Sequence, residues 1–296
     1  MQAEISVVVG AQNARSTVSE CLDSVLAQLS GLNAELLVAD SSSDGTDKIV
    51  SSRFPNVTLI HLDGDKLVPY LWGVGMERAS APIVAITTAH CIPAGNWIES
   101  ILSQARSRTD CAGLGGAIGA PIGGTAMDWA VYFSRYSAFM PPAADGLVAD
   151  IPGDNAAYRK EALDRCWTDR QNGFWETLFH HALRQSGGTL YMSPKVEVRL
   201  GTTDSASDYF RVRFKHGAHY GSSRPNTSGL IKLIRICAAP ILMPYLVLRI
   251  GKRVATSRPD WLKYYVIGLP WLIYFMTGWS LGEIQGYLHS KNYVPA

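Results

Sequence analysis

Short apolar runs alternate with helical segments through the first 120 residues, and this alternation limits the fold more than any other feature. The runs at 5–9, 35–39, 57–62, 83–86 and 112–118 predict strands. Between them lie predicted helices, the first opening with a capping box of Thr17 and Glu20 and the others at 47–54, 68–79 and 96–107. This order predicts an α/β fold, a mostly parallel sheet flanked by helices.

Ligands of such sheets bind beyond the carboxyl ends of the strands, so the loops there are the first candidates for a site. The loop after the first strand reads Gly10-Ala11-Gln12-Asn13, which contains neither a dinucleotide fingerprint nor a phosphate-binding loop. The loop after the second strand begins with Asp40. The fourth strand ends in Thr87-Thr88-Ala89-His90, where no carboxylate is present.

The second half of the predicted domain is less regular. Residues 119–150 read as loop with an aromatic segment at 129–136, and residues 151–163 as a turn leading into a helix. A helix is predicted at 173–183, and strands at 189–192 and 196–200. The five cysteines are scattered without metal-ligand spacing, which is typical of buried, reduced thiols.

Charge and hydropathy change near residue 205. Residues 1–200 carry 15 Lys/Arg and 21 Asp/Glu, whereas residues 201–296 carry 12 and 4, a net charge of +8. Uncharged runs at 236–248 and 264–282 alternate with cations, a pattern that favours an anionic membrane surface over nucleic acid. We therefore predict a domain at 1–205 and a membrane-associating helical region at 206–296.

A transmembrane hairpin fits this region less well than helices lying at the membrane surface. The connector at 249–263 carries five cations, and a hairpin with both ends in the cytoplasm would place them outside. Interfacial or re-entrant helices keep them on cytoplasmic headgroups. Six aromatic residues would then form a headgroup belt: Trp261, Tyr264, Tyr265, Trp271, Tyr274 and Trp279. The alternative is a soluble helical subdomain or an oligomer interface. The N-terminus lacks signal-peptide character, so we expect the cytoplasmic face.

Several motifs in fixed order resemble the family 2 glycosyltransferases, which have the GT-A fold. They are ELLVADSSSDGT (35–46), GVGMERASAPIVAI (73–86), P-x-x-x-W (93–97) and GDNAAYRKEAL (153–163). The segment WSLGEIQGYL (279–288) is similar to the C-terminal end of membrane-associated members. Each motif is weak alone, and the match lies in their order over residues 4–200.

The resemblance implies a nucleotide-sugar site at the strand ends. Asp40 matches the acid that holds the nucleobase, and Gln12 and Asn13 lie beside it. Asp154 and Asn155 match a turn near donor and acceptor, and Arg159 matches a basic residue of that segment. By contrast, Asp44 followed by glycine is read as turn and helix-cap chemistry.

The family's metal-binding Asp-x-Asp is degenerate in this chain. A related subset has Thr-Glu-Asp-His-Cys before proline, and here Thr87-Thr88-Ala89-His90-Cys91 keeps the threonine, histidine and cysteine but neither acid. Thr88 and His90 are therefore expected to face the diphosphate. His90 would hold Mg²⁺ or Mn²⁺ weakly or not at all, because Mg²⁺ prefers carboxylate oxygens. Cations such as Arg211, Arg213 and Lys215 would neutralise the diphosphate instead. Arg213 with Phe214 is a degenerate match to the Gln-x-x-Arg-Trp segment of membrane-bound relatives, and a solvated or lipid-facing basic strip is an equal alternative.

An inverting transfer needs a base that deprotonates the acceptor hydroxyl. Glu176, at the start of a predicted helix after Phe174-Trp175, matches the family's base, although favourable placement at a helix N-terminus explains it equally simply. His180 and His181, one turn later, are read as a surface face of that helix.

The expected function is transfer of a sugar from a nucleotide sugar, a UDP-sugar by this reading, to a lipid-linked or glycan acceptor in polysaccharide synthesis. The missing acids favour an alternative, a catalytically inactive relative that scaffolds or regulates an active glycosyltransferase. A nucleotide-binding sensor is a third reading. Membrane lipid is an expected partner, an oligomer or partner glycosyltransferase stays open, and nucleic acid is not expected.

Overall fold

A computed structural model describes residues 3–203, 205–224 and 229–289, which form two compact units. The first unit comprises the described residues up to Gly119 together with Phe139–Gly201. The second comprises Ala120–Ala138 and the described residues from Thr202 onward. The sequence predicts residues 120–138 to lie in the first domain. They fold with the second unit because their aromatic face packs on its last helix, where Trp129 stacks on Tyr264 with ring centroids 4.2 Å apart.

The first unit is built on a mixed sheet, in which the described residues form nine strands. These are β1 Ile5–Ala11, β2 Ala34–Asp40, β3 Thr58–His61, β4 Ile83–Thr88, β5 Cys91–Pro93, β6 Gly113–Gly119, β7 Gly146–Val148, β8 Asn155–Arg159 and β9 Leu190–Leu200. The strand order is β3-β2-β1-β4-β8-β6-β9-β5, and β7 pairs with β9. Strands β3, β2, β1 and β4 are parallel, which confirms the arrangement predicted from the β-α alternation.

Helices flank this sheet at the predicted places. They are α1 Val18–Leu29, α2 Thr46–Arg53, α3 Val68–Arg78, α4 Trp97–Ser107, α6 Lys160–Cys166 and α7 Glu176–Gln185, with α5 Ala126–Tyr136 in the second unit. The capping box predicted at the start of α1 is wrong. Thr17 makes no side-chain cap bond there, since its hydroxyl donates to the Ala14 carbonyl, and Glu20 pairs with Arg199.

The antiparallel strand β8 is the main departure from the prediction. The segment 151–163 was predicted to pass by a turn directly into a helix, but Asn155–Arg159 enters the sheet between β4 and β6. Its register places Asn155 opposite Thr87 and Arg159 opposite Ile83. The strand therefore runs back from the carboxyl end of β4, so its first residues lie beside the β4 loop.

Strand β9 and helix α5 also differ from the expectation. The strands predicted at 189–192 and 196–200 are one strand, Leu190–Leu200, which pairs with β6 across a register shift between Gly115 and Ala117. The aromatic segment predicted within a loop is the helix Ala126–Tyr136. Its capping box is real, since Thr125 accepts from the Asp128 amide and Asp128 accepts from the Thr125 amide.

The core of the first unit lies on the sheet faces, and α3 packs very closely on one of them. All residues of β1 are buried, and Trp72 and Met76 of α3 pack into the same cluster as Val8. A Cβ atom at Gly75 would overlap the side chain of Val8. Helix and strand backbones can approach this closely only because Gly75 has no side chain, and this fixes α3 and Trp72 against the strands that carry the site.

Glycines likewise determine packing in the second unit, which contains α5, α8 Ala206–Ser222, α9 Gly229–Ser257 and α10 Leu262–Leu288. Gly217 and Gly221 of α8 face Gly282 and Gly286 of α10. A Cβ atom at any of the four would overlap the backbone of the opposite helix. The two helices are therefore in backbone-to-backbone contact.

Helix α9 is long and apolar enough to cross a membrane, the one such helix in the part of the chain that the structure describes. Only 11% of its most apolar stretch is buried. Of the predicted headgroup belt, Tyr265 is buried, with its hydroxyl donating to the Val247 carbonyl. Trp261, Tyr264 and Trp279 are half-buried, and the first two pack on Trp129. Trp271 and Tyr274 stay exposed. Four cysteines are buried thiols as predicted, whereas Cys237 is exposed.

Candidate functional site

The carboxyl ends of the parallel strands meet at one edge of the first unit. In the pairing register Ala11 lies beside Asp40, Asp40 beside His61, and Gly10 beside Thr88. The loops that continue from these residues form one surface, which is where an open α/β sheet binds its ligands. The sequence-predicted residues Gln12, Asn13, Asp40, Thr88 and His90 all belong to it.

Asp40 ends β2 with a fully buried carboxylate. Its Oδ1 accepts from the Ser42 hydroxyl at 2.6 Å, and its Oδ2 lies 2.7 Å from Nδ1 of His61 and 3.2 Å from the Ser42 amide. A carboxylate has about four acceptor positions, so these bonds leave little capacity for a base. The predicted contact of Asp40 with a nucleobase stays a prediction.

Gln12 and Asn13 join the β1 loop to its neighbours. The Gln12 amide donates to Asp65 Oδ1 at 2.5 Å. Asn13 adopts a left-handed backbone with φ of 49°, a conformation that asparagine tolerates better than most residues. The backbone N–H of Asn13 donates to Ser42 Oγ at 2.8 Å, and its side-chain oxygen accepts from the backbone N–H of Ser43 at 2.9 Å. These hydrogen bonds join the loop after β1 to the loop after β2.

Asp44 has the turn role that was predicted for it. Its Oδ1 accepts from the backbone amide of Thr46 at 3.0 Å and from the Thr46 hydroxyl at 2.6 Å. Its other oxygen accepts from the Arg15 amide. The carboxylate thus closes the turn into α2 and ties it to the β1 loop.

The β4 loop carries an unsatisfied hydroxyl. Thr88 is fully buried, and its Oγ1 has no hydrogen-bond partner among the described residues. Leaving a buried polar atom unpaired costs about 1–3 kcal/mol, which in native proteins usually marks a ligand, water or functional strain. His90 is half-buried, and its Nε2 lies 2.9 Å from the Gln12 carbonyl, to which it donates a proton.

Glu176 reaches the same edge from α7. The Trp72 indole donates to the Thr87 carbonyl at 2.7 Å, and its ring lies against Gly153. A Cβ atom at Gly153 would be 3.3 Å from Cδ of Glu176. Glu176 therefore lies next to Gly153, the residue before Asp154. The backbone carbonyl of Asp154 accepts a hydrogen bond from the Thr87 hydroxyl at 2.8 Å.

Asp154 and Asn155 have different surroundings, although the sequence treats them as one motif. The Asn155 amide group donates to the carbonyls of Ala117 at 2.8 Å and Val196 at 3.1 Å, and its oxygen accepts from the Trp97 indole at 2.7 Å. Both donors of this fully buried side chain are used, so its contacts make it a structural residue. The role of Asp154 at the donor stays a prediction.

His180 is buried, so its predicted surface position is wrong, whereas His181 is exposed as predicted. The Nε2 atom of His180 lies 2.8 Å from the Tyr158 hydroxyl, and its Nδ1 atom lies 3.1 Å from Oδ1 of Asp150. Burial lowers the pKa of His180 to about 4, against an opposing effect of Asp150. Burial also raises the pKa of Tyr158, with the charges of Glu176 and Asp150 adding to the rise.

The two remaining predicted cations belong to different units. Arg159 is opposite Ile83, at the amino end of β4, where its guanidinium donates to the carbonyls of Cys111 and Ala105. It therefore supports the end of α4 rather than a donor. Arg213 is a buried residue of α8 in the second unit.

The end of β3 and the loop after it also contribute to the site, which was not predicted from the sequence. His61 bonds Asp40, Asp65 bonds Gln12, and the Lys66 amide donates to Ser41 Oγ at 2.7 Å. Since the third predicted strand was expected to be parallel, its following loop had to reach the same edge. That rule could have identified all three residues without any motif.

The β4 loop does not fit a magnesium site. Its polar side chains are the Thr87 hydroxyl, which bonds Asp154, the Thr88 hydroxyl and the His90 imidazole, and none is a carboxylate. Within the described residues no group of three or more His, Cys, Asp or Glu side chains is placed to hold a metal ion. The donor set is one that Mg²⁺ binds poorly, because that ion prefers carboxylate and phosphate oxygens.

Comparisons with known proteins agree with this architecture. Residues 6–167 match the family model described as glycosyl transferase family 2. A glycosyltransferase of Haloferax volcanii, AglE, is 28% identical over 141 residues, which are 46% of this chain and 44% of that relative. The chain thus spans less than half the length of the curated relative that it matches.

Two solved structures share the fold at low sequence identity. The mannosyltransferase PcManGT from Pyrobaculum calidifontis, in complex with GDP-Man and Mn²⁺, superposes with a TM-score of 0.52 at 16% identity, covering 92% of this chain and 87% of that one. The S. aureus protein TarS, residues 1–349 with UDP-GlcNAc, gives 0.51 at 14% identity, covering 95% and 90%. The match over most of both chains shows the GT-A fold.

Proposed function

Because this chain belongs to glycosyltransferase family 2, we propose that it transfers a sugar from a nucleotide-sugar donor, a UDP-sugar, to a lipid-linked or membrane-proximal acceptor. The observation that supports transfer most directly is the convergence of Glu176, Gly153 and the Thr87–His90 loop at the strand ends. An acid, a buried hydroxyl and an imidazole thus lie at the strand ends, where we propose that the donor binds.

Glu176 is the proposed general base. It is the first residue of α7, where the helix dipole favours the ionised carboxylate that a base needs. An acceptor hydroxyl beside Gly153 would donate to this carboxylate while its oxygen attacks the anomeric carbon. Attack from the face opposite the leaving diphosphate inverts the configuration at that carbon.

The leaving diphosphate needs its developing charge stabilised. In our proposal the Thr88 hydroxyl, which lacks a partner among the described residues, donates to a diphosphate oxygen, and His90 lies beside it. A divalent cation would be held chiefly by the nucleotide itself, with His90 as a weak ligand or none.

We further propose that the protein works at the cytoplasmic face of a membrane. Helix α9 presents exposed leucine and isoleucine side chains along much of its length, and the C-terminal third of the sequence carries a net charge of +8. Both features favour contact with anionic lipid.

A second function has one observation in its favour. The loop Thr87–His90 has lost both acids of the related motif, and the Asp40 carboxylate is already bonded to Ser42 and His61. A relative with these features can be a non-catalytic partner that scaffolds or regulates an active glycosyltransferase.

Calorimetric titration of UDP, with and without Mg²⁺ or Mn²⁺, tests the donor site. We expect binding that depends little on the cation and is weakened by Asp40→Asn, a change that keeps the size of the buried side chain. Asp47→Asn, in the first turn of α2, is the control. Absence of UDP binding under every condition would rule out the proposed transferase.

Turnover separates the two functions. UDP or GDP release is measured from a panel that includes UDP-GlcNAc and GDP-Man, with membrane lipid extract as acceptor. Glu176→Gln should abolish release without changing UDP affinity, whereas Glu161→Gln, an exposed first-turn acid of α6, should leave both intact. UDP binding without any release by the unaltered protein would favour the scaffold.

A further inference from the structure

The second unit contains a cavity lined by arginines on one side and apolar side chains on the other. Its volume is about 370 Å³, and its lining residues come from α9, α10, α8 and the end of α5 with the residues that follow it. Leu242, Leu246 and Ile250 of α9 and Met276 of α10 form much of the apolar wall. The volume is within the range of small-molecule sites, and the mixed lining fits an amphiphile better than a sugar or a base.

The polar part of the lining is strongly cationic. It contains Arg135, Arg213, Arg249 and Arg253 but a single acid, Glu283, which accepts a hydrogen bond from the Tyr287 hydroxyl at 2.7 Å. Four like charges around one cavity repel one another, and the repulsion is relieved when an anion enters. Arginine is also the side chain best suited to bind phosphate oxygens in pairs.

Arg213 is the arginine of this cluster with a buried nitrogen that lacks a hydrogen-bond partner in the part of the chain that the structure describes. Only 9% of it is exposed, its guanidinium carbon lies 4.5 Å from the ring centre of Trp279, and its Nε has no hydrogen-bond partner among the described residues. Burial lowers the pKa of Arg213, and the charge of Arg135 lowers it further against an opposing effect of Tyr209. A bound anion would accept a hydrogen bond from this buried donor.

We propose that this cavity binds the phosphate group of a membrane lipid. Arg213, with Arg135 and Arg249, holds the phosphate oxygens, and the hydrocarbon chain lies along Leu242 and Leu246. The Arg213 contact predicted for a nucleotide diphosphate is thereby reassigned to a lipid phosphate. The proposal concerns binding alone and does not depend on transfer activity.

Helix α9 is the reason to expect a lipid rather than a soluble phosphate. The helix that forms the apolar wall of the cavity is also the helix that exposes Leu233, Ile241 and Leu248. Arg249 and Arg253, one turn apart, follow its most apolar part, where basic side chains meet headgroups. A lipid in contact with α9 can therefore place its phosphate at the arginines and keep its chain on an apolar surface.

Lipid binding to the full chain in detergent can be counted by native mass spectrometry. The probes are phosphatidylglycerol and a polyisoprenyl monophosphate, with phosphatidylcholine, inorganic phosphate and UDP as comparisons. We expect one tightly held molecule of an anionic lipid and an affinity at least about tenfold weaker in Arg213→Gln, as the loss of a charge-assisted contact predicts. Arg249→Gln, at an exposed position that tolerates change, should weaken binding several-fold.

The matched control is Arg211→Gln, which removes an exposed arginine of α8 that pairs with Asp208. It should leave lipid binding unchanged. Preference for phosphatidylglycerol identifies a bilayer lipid as the occupant, and preference for polyisoprenyl monophosphate identifies a lipid carrier; either result supports the site. Equal losses in Arg211→Gln and Arg213→Gln, or binding of inorganic phosphate as tight as that of the lipids, would overturn it. So would loss of UDP binding in Arg213→Gln with lipid binding intact.

Discussion

Asn155 lies in a motif that resembles a donor-binding segment, but its side chain connects three parts of the first unit. It bonds Ala117 beside the register shift of β6, Val196 of β9 and Trp97 of α4. The same residue is paired with Thr87 in the sheet. Asn155 therefore holds the end of β4 in place through sheet pairing and side-chain hydrogen bonds. These contacts explain its contribution to the fold without a ligand.

Replacing Asn155 by alanine should lower stability. The change removes the acceptor of the buried Trp97 indole and the two hydrogen bonds to the Ala117 and Val196 carbonyls, at a cost of about 3 kcal/mol in the free energy of unfolding. Urea denaturation followed by circular dichroism measures it, with Asn172→Ala, an exposed asparagine, as the control. A nearly unchanged stability combined with lost UDP binding would instead show that Asn155 contacts the donor.

His180 should make stability depend on pH. Its pKa is about 4 in the folded chain, chiefly because of burial, and about 6.5 when unfolded. Between these pH values the imidazole takes up a proton when the chain unfolds. The contribution of neutral His180 to the free energy of unfolding is therefore complete above about pH 6.5 and is lost as the pH falls towards 4. It amounts to ~3 kcal/mol in total. His180→Gln should flatten the unfolding free energy over this range, and His181→Gln should not.

The pairing of α8 with α10 depends on glycines that let two backbones touch. Gly282→Ala would place a methyl group on the Phe214 carbonyl, and the helices would have to separate. We expect a loss of about 3 kcal/mol or more in stability, at the upper end of overpacking effects. Thermal denaturation in detergent measures it.

Gly229→Ala provides the comparison, because a Cβ atom there meets nothing within 4 Å. Alanine favours a helix more than glycine does, so this variant should be as stable as the original chain or slightly more stable. Equal losses in the two variants would mean that the α8–α10 contact is looser than described.

The elements that the sequence predicted correctly are those with strong periodicity. The parallel strands and helices of residues 5–107 follow from their apolar spacing, and the strand-end loops follow from the rule that ligands bind there. Strand β8 was missed because Asn-Ala-Ala-Tyr-Arg is short, alanine-rich and adjacent to a helix, and alanine favours helix in isolation. Its place beside β4 depends on long-range pairing that no local pattern contains.

The site was predicted in outline but not in its contacts. The positions of Gln12, Asn13, Thr88 and His90 follow from the strand ends. The contacts depend on which loops meet in three dimensions. Examples are the contact of Asp40 with His61, the hydrogen bonds of the Asn155 side chain and the approach of Glu176 to Gly153. The predicted position of Arg159 was wrong because the antiparallel strand β8 carries this residue to the amino end of β4, away from the strand ends that form the site.

For the chain as a whole, the exposed face of α9 should determine where the protein is found in a cell. Ile241 and Leu248 are 70% and 72% exposed, and changing both to lysine removes apolar surface without touching the cavity wall. The double variant should shift from the membrane fraction towards the soluble fraction and float less with anionic vesicles.

Extraction with alkaline carbonate refines this result. An interfacial protein is released, whereas a chain with a spanning α9 is retained. Leu147 of the first unit and Ile122 of the second unit are exposed and lie outside α9, so replacing both by lysine is the control for added charge and should not change the distribution.

Helix α5 has a consequence for the order in which the chain becomes complete during synthesis. The chain leaves the first unit after Gly119 and returns at Phe139, and the rings of Trp129, Tyr132 and Phe133 pack against Trp261, Tyr264 and Tyr265, close to the C-terminus. These rings therefore emerge from the ribosome long before their partners do. A chain that stops before these partners would expose the aromatic face of α5, a surface that chaperones and proteases recognise.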